Sequence, residues 1–203
     1  MHTGARWSRD GTPHPPFFDE RMLRIYRREV PTLRPNILYT SPNDPLAAPL
    51  VAELSREYDE RYGLNDGIPS SVELSRYPAR RFQPVDGGTF LLLVENGQAV
   101  AGGAFMRADD DTTVEVKRVW THSAHRRRGL ARQVMAELEA EAARRGIRSI
   151  VLTTGARQPE AVALYLALGY EPQFDLDEDW ESIGYLEFRK QPTVVDESGQ
   201  TPL

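Results

Sequence analysis

The sequence contains no cysteine. Disulfides, thiolate metal ligands and a covalent acyl-cysteine intermediate are therefore excluded. Any reaction of this protein must use oxygen or nitrogen groups of the chain.

Long apolar runs are also missing. No stretch approaches the ~18 uninterrupted apolar residues of a membrane span, and the start has no apolar segment of the kind found in secretory signals. We therefore expect a soluble, cytoplasmic protein.

Four motifs of common enzyme classes are absent from the sequence: G-x-G-x-x-G, G-x-x-x-x-G-K-[ST], G-x-S-x-G and H-E-x-x-H. Hydride transfer on a dinucleotide fold, P-loop phosphoryl transfer, the esterase elbow and zinc proteolysis thus have no sequence support. His122 and His125 have no evident third ligand, so we interpret them as solvated side chains and expect no metal.

The chain of 203 residues, 40% of them hydrophobic, fits one domain with extensions. We expect the domain at residues 36–190, an N-terminal extension at 1–35 and a flexible tail at 191–203. Prolines interrupt the extension, which leaves room for a short helix at 19–30.

The net charge of −5 is unevenly distributed. Residues 1–36 carry seven Arg against four acidic residues, whereas residues 171–203 carry nine acidic residues against two basic ones. A general nucleic-acid binder would show a broadly basic domain, so we do not expect nucleic acid as a partner. A local basic patch at 125–128 stays open as an alternative.

The spacing of apolar residues predicts an α/β protein with a mixed sheet. Within strand 113–120, alternation predicts that Val114, Val116 and Trp120 share one face. Asn96-Gly97 predicts a hairpin turn. The predicted strands are 36–40, 89–95, 98–106, 113–120, 149–153, 170–174 and 185–189, and the predicted helices are 45–62, 71–80, 129–146 and 159–168.

One turn carries a chemical signal, the segment Arg126-Arg127-Arg128-Gly129-Leu130-Ala131 between a strand and a helix. Free N–H groups at a helix start bind anions, and the small residues Gly129 and Ala131 let a phosphate approach. Arginines at a helix N-terminus are unfavourable for the helix dipole unless an anion or solvent compensates them. The turn therefore predicts a diphosphate site, with an ordinary solvated turn as the alternative.

The pattern Arg126-x-x-Gly129-x-Ala131 resembles the (Q/R)-x-x-G-x-(G/A) signature of the GCN5-related N-acetyltransferase (GNAT) family. Two flanking segments strengthen the resemblance: the strand at 115–120, and residues 158–165 followed by Leu168-Gly169-Tyr170. The resemblance covers roughly residues 36–190. Ser123 and Gln158 depart from it, because many members have Pro and Asn there.

This resemblance implies a central mixed sheet that splays between its fourth and fifth strands, with helices on its faces and acetyl-CoA in the gap. The backbone of Val119, Trp120 and Thr121 would pair with the pantetheine arm, and the Val119 N–H would point at the thioester oxygen. The residues implied for cofactor binding are Val119, Trp120, Thr121, Arg126, Arg127, Arg128, Gly129, Leu130, Ala131, Arg132 and Gln158.

The resemblance also implies two catalytic side chains. Tyr165 aligns with the tyrosine that donates to the departing thiolate; the alternative is a packed aromatic. Glu115 aligns with a position that often serves as general base; the alternative is a strand residue paired with Lys117.

Transfer of an acetyl group to a primary amine of a small molecule or peptide is the implied function, by direct attack in a ternary complex. A CoA-binding sensor or interaction module without catalysis is the alternative. The acidic residues at 175–181 suggest attraction of a cationic acceptor, against a merely solvated loop. No membrane partner is expected, and a homodimer is common among similar proteins.

Overall fold

The computed structural model describes residues 35–192. The helix predicted at 19–30 and the tail beyond residue 192 lie outside the described residues. The elements in chain order are β1 (Asn36–Tyr39), α1 (Ala48–Tyr62), β2 (Leu64–Asn65), β3 (Ile68–Pro69), β4 (Thr89–Glu95), β5 (Gln98–Arg107), β6 (Thr113–Thr121), α2 (Leu130–Arg144), β7 (Ser149–Gly155), α3 (Pro159–Ala167), β8 (Glu171–Pro172), α4 (Trp180–Ile183) and β9 (Tyr185–Lys190). Short 3-10 helices lie at Pro45–Ala47, Ser70–Ser75, Ala79–Phe82, Pro84–Asp86 and Ser123–His125.

Seven strands form one mixed sheet in the order β1-β4-β5-β6-β7-β9-β8. Strands β6 and β7 run parallel, and every other neighbouring pair is antiparallel. This confirms the predicted α/β class and mixed sheet. Strands β2 and β3 form a separate small hairpin.

Local sequence signals explain the main boundaries. The Asp44 side chain accepts a hydrogen bond from the Leu46 N–H at 2.8 Å, and Pro45 follows as the first helical residue. Gly63, with a φ of 64°, ends α1. Asn96 and Gly97 both have positive φ, at 50° and 78°, as the two-residue hairpin between β4 and β5 requires.

Two apolar cores cover the two faces of the sheet, because alternate residues of β4 belong to different clusters. Leu91 and Leu93 pack in the core that contains Val134 and Leu138 of α2. Phe90 and Leu92 pack in the core that contains Leu50 and Leu54 of α1. The helices α1 and α2 therefore lie on opposite faces of the sheet.

Two elements near the end of α1 and before β9 were not predicted. The β2–β3 hairpin turns at Asp66-Gly67, whose φ values are 51° and 79°; this dipeptide is a hairpin signal that could have revealed it. Helix α4 interrupts the acidic loop, and Asp179 caps it by accepting from the Glu181 N–H. Among residues 35–192, no helix is both long and apolar enough to cross a membrane.

Candidate active site

The sheet opens between β6 and β7. Their parallel pairing runs from Thr113 opposite Ser149 to Val116 opposite Leu152, and stops there although both strands continue. A cleft of about 700 Å³ lies at this opening, lined by Val119 of β6, Thr154 of β7 and Tyr165 of α3, among others. The splay and its position match the implied fold.

A bulge in β6 shapes one wall of this cleft. In the pairing with β5, Lys117 lies opposite Ala104 and Trp120 opposite Gly102, so Arg118 and Val119 both stand against Gly103. Arg118 has a φ of 59°. A bulge of this kind adds one residue to a strand and re-aims the backbone next to it.

The bulge overturns one sequence prediction. Val114 and Val116 belong to the core under α2, but Trp120 belongs to the core under α1. They do not share a face, because the extra residue at Arg118 shifts the alternation of β6 by one.

Trp120 is held by a carboxylate that sequence reasoning missed. Its Nε1 donates to Glu53 at 3.0 Å, and Ser123 donates to the same carboxylate through both its N–H and its hydroxyl. Burial acts to raise the pKa of Glu53, but these hydrogen bonds outweigh it and hold the pKa below its ordinary value. Glu53 of α1 thus fixes the end of β6 ahead of the arginine turn.

The turn at residues 126–131 presents a run of free donors. Within residues 35–192, no carbonyl or side-chain oxygen accepts a hydrogen bond from the N–H groups of these six residues. Arg127 and Gly129 have φ values of 62° and 76°, which bend the chain into the start of α2. A concave run of N–H groups at a helix start is an anion site, so these residues fit a diphosphate.

Two of the three arginines in this turn already have carboxylate partners. Arg126 contacts Glu57 at 3.1 Å, and Arg128 contacts both oxygens of Glu95 at 2.7 and 3.0 Å. Arg127 is exposed, and in the described part of the chain no carboxylate lies within 4.0 Å of it. Carboxylates of the protein thus neutralise Arg126 and Arg128. Arg127 is the arginine of the turn that stays available for an anionic ligand.

Several of the residues implied for cofactor binding lie away from the cleft. Val119 and Gln158 line it, whereas Trp120, Thr121 and residues 126–132 do not. Arg132 donates weakly to the Ala167 carbonyl, at 3.4 Å. The turn and the cleft are connected through β6, whose end leads to the turn through Ser123–His125.

Tyr165 lies between the core and the cleft. It is only 7% exposed, and its ring lies 5.6 Å from that of Phe188 and 5.9 Å from that of Tyr170. No other residue of the described range forms a hydrogen bond with its hydroxyl. Burial raises the pKa of Tyr165 well above its ordinary value, so the hydroxyl keeps its proton.

Gln158 holds the loop that leads into α3. Its Oε1 accepts from the Thr154 hydroxyl at 2.9 Å and from the Gly155 N–H at 3.3 Å. The amide oxygen is thus used inside the protein, and the Gln158 NH₂ group is the part that can contact a ligand in the cleft.

Glu115 does not line the cleft. Its carboxylate contacts the Lys117 ammonium at 2.7 Å and faces a smaller pocket of about 240 Å³ that also contains Glu187 and Arg189. This is the pairing that the alternative interpretation predicted. Lys117 itself lines the main cleft.

The acidic loop contributes one residue to the cleft, Glu181. Arg157 holds this carboxylate in a bidentate pair, in which Nε donates to Oε1 at 2.9 Å and Nη2 donates to Oε2 at 2.9 Å. The Asp175 carboxylate accepts a hydrogen bond from the Asp177 N–H, so this carboxylate is used within the loop. Little free negative charge from this loop therefore faces the cleft.

Comparison with known proteins identifies the family. A family model for the acetyltransferase (GNAT) family matches residues 51–170, more than half of the chain. The chain belongs to this family. No curated protein matches the sequence.

Solved structures of GNAT proteins share the fold. An acyl-CoA N-acyltransferase candidate from Klebsiella pneumoniae is 26% identical, with a TM-score of 0.59 over 78% of this chain and 97% of its own. A ribosomal-protein-alanine N-acetyltransferase from Brucella melitensis is 20% identical, with a TM-score of 0.57 over 77% and 99%. An acetyltransferase homologue from Salmonella typhimurium, solved with acetyl-CoA, is 22% identical, with a TM-score of 0.52 over 77% and 93%. Acetyl transfer is the general activity of the family to which this chain belongs.

Proposed function

We propose that the protein is an N-acetyltransferase that moves an acetyl group from acetyl-CoA to a primary amine by direct attack in a ternary complex. The observation that carries this proposal is a run of free N–H groups at residues 126–131 together with a cleft between the splayed strands β6 and β7 that Tyr165 of α3 lines. The first suits a diphosphate and the second suits a thioester with an incoming amine. The absence of cysteine favours direct attack over transfer through the protein.

The residues of the turn would bind the diphosphate, and the backbone of Val119, Trp120 and Thr121 would pair with the pantetheine amides. In the bulge Val119 shares Gly103 of β5 with Arg118, and the Val119 N–H is the proposed donor to the thioester oxygen. A fixed donor at that position helps most when negative charge develops on the oxygen during attack.

Tyr165 would act on the departing sulfur. As the amine nitrogen forms its bond to the acetyl carbon, the carbon–sulfur bond breaks and the sulfur gains negative charge. A buried tyrosine that keeps its proton can donate to that sulfur. This contact concerns only the leaving group, so it affects kcat more than cofactor binding.

The amine must also lose a proton, since an ammonium ion cannot attack. Glu115 is the proposed base. Because its carboxylate lies outside the cleft and pairs with Lys117, the proton would reach it through water.

A single substitution at Tyr165 tests the proposal. Tyr165→Phe keeps the ring contacts and removes only the hydroxyl, so we expect kcat to fall by about 100-fold, within the range for a lost general acid, while the Kd for CoA stays the same. The assay is release of free thiol from acetyl-CoA with a panel of primary amines, and calorimetry measures the Kd.

Tyr170→Phe is the matched control. Tyr170 lies beside Tyr165 but does not line the cleft. It should keep wild-type kcat. Unchanged kcat in Tyr165→Phe would reject the acid role, and CoA binding without thiol release for any amine would favour the non-catalytic module.

A further inference from the structure

The charged side chains around the cleft are mostly matched by opposite charges. Glu181 pairs with Arg157, and Lys117 pairs with Glu115 at 2.7 Å. Glu73 contacts Arg76 at 3.4 Å. These pairs leave little net charge for an acceptor to meet.

Arg118 is different. It lines the cleft and is half-buried, yet no carboxylate of the described residues lies within 4.0 Å of its guanidinium. Its only hydrogen bond in that range goes to the Leu74 carbonyl. The guanidinium lies over the Phe82 ring, with Cζ 4.3 Å from the ring centroid. Burial lowers the pKa of Arg118, and the nearby Glu73 carboxylate, which itself pairs with Arg76, opposes this; a guanidinium stays charged in proteins.

The position of this cation is fixed by the backbone. Arg118 is the residue of the β6 bulge with positive φ, at 59°, and the next residue is Val119, the proposed donor to the thioester oxygen. A non-glycine residue in this conformation costs on the order of 1 kcal/mol and persists where the surroundings impose it. Arg118, the residue next to Val119, thus brings a guanidinium with spare N–H donors to the cleft.

Exposed apolar side chains gather at the mouth of the cleft, next to the polar residues Asn65, Asp66 and Ser70. Leu64 and Ile68 of the β2–β3 hairpin are 68% and 55% exposed, Val72 is 49% exposed and Tyr185 is 74% exposed, and all four line the cleft. Deeper in, Tyr58 and Tyr77 also line it. Exposed apolar side chains gathered around one opening indicate a ligand with an apolar body.

We infer that the acceptor amine carries a carboxylate near the amine and an apolar or aromatic body, as in the larger apolar α-amino acids. Arg118 binds the carboxylate, because a guanidinium offers two parallel donors to it. The exposed apolar side chains at the mouth hold the side chain of the acceptor. This inference rests on the proposed acetyl transfer and names the acceptor class for that same site.

Matched acceptor pairs test the inference in the wild-type full-length protein. Phenylalanine and leucine are compared with phenethylamine and 3-methylbutylamine, which lack only the carboxylate, and with cadaverine as a cationic acceptor. Thiol release from acetyl-CoA gives kcat/KM for each. We expect kcat/KM for each amino acid to exceed kcat/KM for its decarboxylated partner by about 10- to 100-fold, the range for a hydrogen-bonded charge pair.

The Arg118→Gln variant then assigns the preference to one side chain. Its kcat/KM for phenylalanine should fall by about 10- to 100-fold, while that for phenethylamine changes by less than about 3-fold. Arg118→Lys should restore part of the preference for phenylalanine over phenethylamine, because an ammonium keeps the positive charge but not the two parallel donors of the guanidinium. Arg107→Gln is the control, since Arg107 lies at the end of β5 outside the cleft and pairs with Asp111, so this variant should keep both kcat/KM values. Calorimetric titration with CoA checks that each variant is folded.

The outcomes separate two failures. If phenethylamine or cadaverine is used as well as phenylalanine by the wild-type protein, the carboxylate inference is overturned while acetyl transfer stands. If 1-amino-2-phenylethylphosphonate is preferred over phenylalanine by about 10-fold, the anion is not a carboxylate and the inference is also overturned. If no amine releases thiol although CoA binds, the proposed function fails and this inference fails with it.

Discussion

Tyr165 lies where an apolar core meets a polar reaction site. The rings of Phe188 and Tyr170 surround it, and its exposure is 7%. Burial disfavours the phenolate, so the pKa is raised and the neutral form is present throughout the range below that value. The same packing that makes Tyr165 look like an ordinary core aromatic also keeps its proton available to a departing sulfur.

The pH dependence of the reaction follows from this protonation state. We expect kcat/KM to rise with pH as the amine is deprotonated, with no descending limb below about pH 10, because Tyr165 stays protonated there. If Glu115 accepts the proton through water, Glu115→Gln moves the rising limb to higher pH, where the amine ionises by itself. Profiles of kcat/KM against pH, measured for the wild-type protein and for Glu115→Gln between pH 6 and about 10, check this. A wild-type decline below that limit contradicts the Tyr165 assignment, and identical profiles contradict the role of Glu115.

At the scale of elements, the β6 bulge connects three features of the site. It moves Trp120 to the core under α1, sets Arg118 at a positive φ and places Val119 together with Arg118 against Gly103. The glycine opposite the bulge is also required by packing. A Cβ at Gly103 would lie 2.7 Å from Val134 Cγ1 of α2 and 3.2 Å from Leu138 Cδ1.

This close approach predicts the stability of a variant. Gly103→Ala should lower the free energy of unfolding by about 1–3 kcal/mol, because the added methyl overpacks the contact between β5 and α2. Denaturant unfolding of the full-length protein measures it. In the double variant Gly103→Ala with Val134→Ala, the removed Cγ1 makes room for the new methyl group. The double variant should therefore lose less unfolding free energy than the sum of the losses in the two single variants. Strict additivity would show that the cost arises elsewhere.

For the whole molecule, most elements with a local signal were predicted, the β2–β3 hairpin at Asp66-Gly67 excepted, and contacts between distant residues were not. Asn96-Gly97 carries its own turn preference, and Gly129 its own φ preference, so the hairpin and the start of α2 were found. The bulge depends on how Arg118 and Val119 face Gly103 of another strand, and simple alternation cannot show it. Glu53 accepts a hydrogen bond from Ser123, 70 positions along the chain, and no spacing in the sequence indicates this contact.

The same limit applies to the candidate site. The diphosphate turn is contiguous, so its residues could be named from the sequence, whereas the cleft collects residues from α1, the β2–β3 hairpin, β6, β7 and β9. Its closest packing again joins distant residues, since a Cβ at Gly155 would overlap the Tyr62 hydroxyl. Family resemblance supplied Val119, Gln158 and Tyr165, but Arg118 and Tyr62 became visible only in the folded chain.

Ligand binding at the turn should be measurable as stability of the full-length protein. A ligand at about 100 times its Kd adds ~2.7 kcal/mol to the free energy of unfolding. For a chain of this size, that raises the melting temperature by about 5–10 °C. We expect this shift with CoA, and a much smaller one with pantetheine at the same concentration, because pantetheine lacks the diphosphate that the free N–H groups of residues 126–131 would bind.

Arg127→Gln should reduce the CoA shift, since Arg127 is the arginine of the turn without a carboxylate in the described range, and the reduction should shrink as salt is added. Arg107→Gln is the control, because Arg107 is also exposed but contacts Asp111 at 2.8 Å, far along the chain from the turn. Differential scanning fluorimetry at two salt concentrations measures all of these shifts. Equal shifts with CoA and pantetheine would mean that the turn does not hold the diphosphate, because binding would then depend only on the arm that both ligands share.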